Sequence, residues 1–202
     1  THMYYDEPGA LQDSASMGDL RAVFDDLALI NPAFVLLTGD VLNEGELEEF
    51  MHARYYTRAQ RLLAECTAPI YVVAGNHDLG GWDDTPPPDG TSRYDWWRFF
   101  GWPRLDEPPV GAPARTQDYW VSYGDLHLVG LEAYDNYDGF RYDIYGETSF
   151  TSDQMTWVEE ALALAEPHQH KVLFYHYDFA HELNLAALDV DMALYGHSHS
   201  DN

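Results

Sequence analysis

Four short, nearly unbroken apolar runs limit what this chain can become. Residues 33–37, 70–73, 171–175 and 192–195 read Ala-Phe-Val-Leu-Leu, Ile-Tyr-Val-Val, Lys-Val-Leu-Phe-Tyr and Met-Ala-Leu-Tyr. Runs of this length and character fit strands buried on both faces, and such strands belong to largely parallel sheets covered by helices. The intervening sequence supplies those helices. Over residues 17–30, Leu20, Val23, Phe24, Leu27 and Ile30 recur at helical spacing, and Asn31-Pro32 stops the helix. A second helix is predicted over about residues 46–65. Thr151 with Gln154 has the form of a capping box ahead of Met155, Val158, Leu162 and Ala165, which share a helical face. Residues 119–123 and 126–131 flank Gly124-Asp125, a two-residue loop suited to a tight hairpin, and His127 alternates there with Val129 and Leu131 as a core histidine. The alternation predicts an α/β layered fold with mostly parallel strands.

The 202 residues fit a single domain, 1–202. Two segments depart from the alternation. Residues 79–118 interleave Trp82, Trp96, Trp97 and Trp102 with clustered prolines, and residues 132–150 are irregular and aromatic. The first reads either as a lid with a short helix at 94–100, or as an excursion whose rings only pin it to the scaffold. Thirty-five acidic residues against ten Lys and Arg give a formal charge of −25. That field repels polyanions, so double-stranded nucleic acid is not an expected partner. Cys66 is the one cysteine, which leaves neither an internal disulfide nor a thiolate metal cluster. No apolar stretch is long enough to span a membrane.

Each of the four runs is followed closely by side chains that bind metals or transfer protons. They deliver Asp40, then Asn76 with His77, then His176, then His197 with His199. Ligands collect at the carboxyl ends of strands in α/β sheets, so these groups are expected to meet in one crevice. A carboxylate can bridge two cations, and imidazole suits zinc, iron, manganese or nickel. Two such ions about 3.5–4 Å apart clamp a phosphoryl group and make hydroxide available near neutral pH. No nucleophilic side chain is then needed, while a leaving alkoxide still requires a proton from a metal-free histidine.

The ordered set Gly39-Asp40, Gly75-Asn76-His77-Asp78, His176 and Gly196-His197-Ser198-His199 resembles the calcineurin-like metallophosphoesterase superfamily, which includes purple acid phosphatases, cyclic-nucleotide phosphodiesterases and repair nucleases. The resemblance runs from His2 to His199. It implies a four-layer αββα sandwich of two mixed sheets around a dinuclear centre of divalent or trivalent ions. Asp40 would bridge the ions, Asn76, His176 and His197 would complete one site, and His199 would serve the other. His77 would act as proton donor, oriented by Asp78. The family opens with a strand ending in Asp-x-His, and the 38 positions from His2 to Asp40 fit its spacing. His2 is therefore expected to be that histidine, preceded by an aspartate ahead of Thr1, with the first strand and strands beyond Asn202 missing from the chain as given. The alternative is that His2-Met3 is a cloning remnant.

The implied activity is hydrolysis of phosphoric esters, either diesters or small organic monoesters, by a metal-bridging hydroxide with histidine as general acid. Two alternatives stand beside it: a non-catalytic, metal-bound relative that binds partners through its aromatic excursions, and a nuclease. Trp82, Trp96, Trp97, Tyr134, Tyr137 and Tyr142 are candidates for stacking on a substrate ring. The acidity and the lack of redox-sensitive thiols favour an exported or extracellular bacterial protein.

Overall fold

The computed structural model describes residues 15–42, 52–79, 96, 99–100, 118–132, 152–177 and 183–198. His2, His199 and most of both aromatic segments lie outside them. The described elements run α1 (Ala15–Ile30), β1 (Val35–Leu37), α2 (His52–Leu63), β2 (Ile70–Val72), α3 (Asn76–Leu79), β3 (Tyr119–Tyr123), β4 (Leu126–Gly130), α4 (Ser152–Ala163), β5 (His170–Phe174) and β6 (Met192–Leu194).

Two sheets form. β1 and β2 pair in parallel, with Val35 opposite Ile70. The second sheet has the order β3-β4-β5-β6, parallel except for the β3/β4 hairpin. In that hairpin Gly124 takes φ 55° and Asp125 is not at positive φ, the pattern of a type II′ turn. The layering follows from the two-residue period of strands. Phe34, Leu36, Tyr71 and Val73 point from the first sheet towards Leu128, Val172 and Phe174 of the second and form one apolar cluster with them. Their alternating neighbours Leu37, Val72, Val129 and Leu173 face outward into the larger cluster, which holds Leu20 and Phe24 of α1, Ala59 and Leu62 of α2, and Val158 and Leu162 of α4. The result is helices, sheet, sheet, helix, as expected. The Tyr119 hydroxyl crosses between the sheets to donate to the Val72 carbonyl at 2.9 Å.

One local expectation needs amending. Of the five apolar α1 residues at helical spacing, Leu20, Phe24 and Leu27 face the core, while Val23 and Ile30 are exposed. Asn31, at φ 52°, donates its N–H to the Leu27 carbonyl and ends the helix through a left-handed residue. Residues 76–79 form a single helical turn. His127 is a fully buried core histidine, bonded to the Ser122 hydroxyl at 3.0 Å and the Ala161 carbonyl at 2.9 Å. Burial is the main reason its pKa is lowered, helped by the charge of Lys171 and opposed by the Ala161 bond.

Candidate metal centre

Parallel pairing brings the candidate ligands together in twos. Beyond β1 and β2 the ladder continues, with the Val73 N–H donating to the Leu37 carbonyl at 3.1 Å. The chain segments that follow, 38–42 and 74–78, therefore leave the sheet side by side. Beyond β5 and β6, Tyr175 N–H donates to Leu194 O at 3.0 Å and Gly196 N–H to His176 O at 2.9 Å, which sets His176 beside His197. The two pairs meet where the His176 Nδ1 approaches the Thr38 carbonyl at 2.7 Å.

That contact fixes the tautomer. A carbonyl oxygen only accepts, so Nδ1 carries the proton and Nε2 holds the lone pair. Nε2 lies 3.0 Å from Asp40 Oδ2 and 3.2 Å from His197 Nδ1. Asp40, His176 and His197 thus offer one ligand atom each, all within 4.8 Å of one another. Electron pairs from a carboxylate and an imidazole facing each other at this distance require a cation between or upon them, either a proton or a metal ion. The mixed nitrogen and oxygen set suits a first-row transition metal. The residues present therefore fit the group the sequence implies.

Two of these three donor residues occupy left-handed backbone, Asp40 at φ 49° and His197 at φ 69°. Such conformations are costly for residues other than glycine and gather at functional sites. The preceding glycines are required by close approach. A Cβ on Gly39, itself at φ 91°, would come within 2.7 Å of Gly75 N and 2.8 Å of His176 Nδ1, and one on Gly196 within 2.9 Å of Thr38 Oγ1.

His77 is buried, and its backbone N–H donates to Asp40 Oδ1 at 3.1 Å, so the proposed acid and the proposed bridging ligand share a bond. Asp78 is fully buried beneath them. Its carboxylate accepts N–H groups from Gly75 at 2.8 Å, Leu42 at 2.8 Å and Val41 at 3.3 Å. These bonds tie the segment that carries Asp40 to the one that carries His77. Burial, with the charge of Asp40 added, pushes the Asp78 carboxyl up to about 7 against the pull of the Gly75 and Leu42 N–H groups and of His176. Asn76 lies on α3 in the same turn. Outside the cluster, His168 and His170 are exposed beside Asp125 and Asp191.

Sequence reasoning missed Thr38 and Tyr56. Thr38 contributes a main-chain oxygen, which has no residue signature. The Tyr56 hydroxyl donates to the Asp78 carbonyl at 2.6 Å, and its ring is packed by Trp96, Phe99 and Phe100. Trp96 is 2% exposed and stacks on Phe100 at 4.2 Å. It is an anchor for the first aromatic segment and has no face free for a substrate ring, which corrects its candidacy for stacking.

No curated protein matches this chain. Among solved structures it is similar to a dimetal phosphatase from Danio rerio, with a TM-score of 0.62 and 15% identity over 86% of this chain and 66% of that one. It is also similar to a purple acid phosphatase isolated from yellow lupin (Lupinus luteus) seeds, with a TM-score of 0.53 and 17% identity over 91% of this chain and 33% of that one. It spans just under two thirds of the first and a third of the second, and at these identities the likeness is one of fold. The calcineurin-like phosphoesterase profile matches residues 1–201, nearly the whole chain, and on that match the protein belongs to the calcineurin-like phosphoesterase family.

Proposed function

We propose that the protein hydrolyses phosphoric esters of small molecules in a metal-dependent reaction. The observation that carries this reading is the convergence of Asp40 Oδ2, His176 Nε2 and His197 Nδ1 within 4.8 Å, with the buried His77 bonded to the same aspartate. Asp40, His176 and His197, with Asn76, would hold one ion, and His199 and His2 would serve a second. When bound, such ions polarise the phosphoryl oxygens and lower the pKa of water enough to supply a nucleophile at neutral pH.

The remaining roles belong to the chain. Thr38 fixes the His176 tautomer through its carbonyl. Asp78 holds the Asp40 and His77 loops in register. His77 donates a proton to the oxygen of the leaving alcohol as the P–O bond breaks, a contribution worth roughly 10²- to 10⁴-fold in rate. The charge of −25 supports a small substrate over a nucleic acid. Diesters, or small organic monoesters, are the preferred class.

The test is manganese-dependent hydrolysis of bis(p-nitrophenyl) phosphate, with bound metal measured in parallel. The wild type should turn over only with metal. His77→Ala should keep its metal and lose turnover, whereas His176→Ala should lose metal. Equal metal loss in both variants would refute the division of roles, and a folded, metal-loaded protein inert towards mono- and diesters would refute the activity.

A further inference from the structure

The turn that carries His77 is only four residues long, Asn76–Leu79, too short to hold itself in place. Its backbone is fixed from two sides. On one, the His77 N–H reaches Asp40 Oδ1 and the Asp78 carboxylate reaches the Leu42 and Gly75 N–H groups. On the other, the Tyr56 hydroxyl, arriving from α2, donates to the Asp78 carbonyl at 2.6 Å. Tyr56 is fully buried. Its ring stands edge-on to Trp96 at 6.0 Å and to Phe100 at 5.9 Å, and lies tilted against Phe99 at 5.5 Å. Gln60, one turn further along α2, bonds the Phe99 carbonyl. The phenol is thus clamped in an aromatic socket shared by α2 and the first aromatic segment, and it spends its hydroxyl on the peptide next to the proposed acid.

We propose that Tyr56 is a positioning residue for His77: its hydroxyl fixes the Asn76–Leu79 turn, and so the imidazole, against the aromatic socket of α2. The inference rests on the activity proposed above and adds to it a residue that touches neither metal nor substrate. Tyr56→Phe removes the bond and keeps the ring. Phe100→Leu loosens the socket and keeps the bond. Displacing a reacting group by about 1 Å costs up to about a hundredfold in rate.

The experiment compares wild type, Tyr56→Phe and Phe100→Leu in kcat and KM for bis(p-nitrophenyl) phosphate, in manganese affinity, and in amide hydrogen exchange of the metal-free protein. For Tyr56→Phe, kcat should fall about ten- to a hundredfold. Its KM should stay within about twofold, because the lost bond touches no substrate, and its manganese affinity should fall by no more than about fivefold, since Asn76 alone among the proposed ligands rides on that turn. Exchange at the His77 and Asp78 amides should quicken by about fivefold, the loss of one ordinary hydrogen bond. Phe100→Leu should be at least as destabilised in thermal unfolding and yet keep kcat within about threefold of wild type, since it spares the hydrogen bond. Wild-type kcat in Tyr56→Phe, or a parallel fall of kcat and thermal stability in both variants, overturns the proposal. If the wild type itself proves inert, the exchange measurement still decides. Quickening confined to residues 75–79 supports the positioning role, and unchanged or chain-wide quickening overturns it.

Discussion

Gly75→Ala is the sharpest test of how the centre is assembled. Gly75 is not at positive φ, so an alanine there meets no backbone penalty and acts through volume alone. The added Cβ would collide with the Asp40 carboxylate and lie 2.5 Å from Asp40 N and 2.9 Å from Asp40 Cγ. Ordinary contact begins at 3.4 Å, so the two loops must part by about 0.9 Å. Neither loop has slack, because the Asp78 carboxylate ties Gly75 to Leu42 and the His77 N–H ties the turn to Asp40. Overpacking of this kind costs about 1–3 kcal/mol. The same displacement carries Asp40 Oδ2 away from His176 Nε2, so metal affinity should fall about tenfold or more. Gly18→Ala is the matched control: its Cβ meets nothing within 4 Å inside α1, and helix propensity should raise stability by up to about 1 kcal/mol. Urea unfolding and manganese titration calorimetry on both variants read the two effects. A Gly75→Ala protein with wild-type stability and affinity would refute the close approach from which the argument starts.

Asp118 accepts the Glu132 N–H at 2.7 Å and the Gln154 amide at 3.0 Å, all three residues being buried. Asp118→Ala orphans the Glu132 N–H, while the Gln154 amide keeps its second bond, to the Glu132 carbonyl at 2.6 Å, and the substitution should cost about 1–3 kcal/mol in urea unfolding. A loss under about 1 kcal/mol would remove the reason for burying that carboxylate. His127 sets a pH dependence of known sign. Its folded pKa is lowered below the ordinary 6.5, chiefly by burial, so the unfolded state binds the proton more readily. The stability it contributes is fully present above pH 6.5 and is lost as the pH falls from 6.5 towards its folded value. Between pH 7.5 and 5, His127→Phe should lose less stability than wild type, and an equal or greater loss would contradict that sign.

Much of this was legible in the sequence because the chemistry and the burial coincide there. The apolar runs became strands where they stood, since strands covered on both faces need no polar alternation to reveal them. Asp40, His77, His176 and His197 were legible because few side chains bind metals or exchange protons, and each follows a strand. The four-residue turn at 76–79 was not, because its polar sequence has no amphipathic period to detect. Nor was the exposure of Val23 and Ile30, since helical spacing defines a stripe and packing decides how wide a stripe is used. Least legible was the wiring between the loops. It runs through the Thr38 and Asp78 carbonyls and the Val41, Leu42 and Gly75 N–H groups, and main-chain atoms are the same in every residue.

Strain at the donors leads to a prediction in which stability and function part company. His197 stands at φ 69° directly after Gly196, and a β-carbon there costs roughly 1 kcal/mol that glycine avoids. His197→Gly should therefore leave the metal-free protein as stable as wild type or more so by up to about 1 kcal/mol, with the lost ring contacts to Tyr177 and His176 setting the lower end. The same substitution removes one of three converging donors. Wild type should gain about 2.7 kcal/mol of stability at manganese concentrations a hundredfold above its Kd, and His197→Gly should gain almost none under the same conditions. Thermal unfolding with chelator and with saturating manganese separates the terms. If the variant is instead much less stable without metal, then His197 is held by packing of its own, and the strained backbone is not kept for the sake of the ligand. If it is stable and still gains fully from manganese, then His197 is not a ligand, and the proposed centre loses the residue on which its nitrogen pair depends.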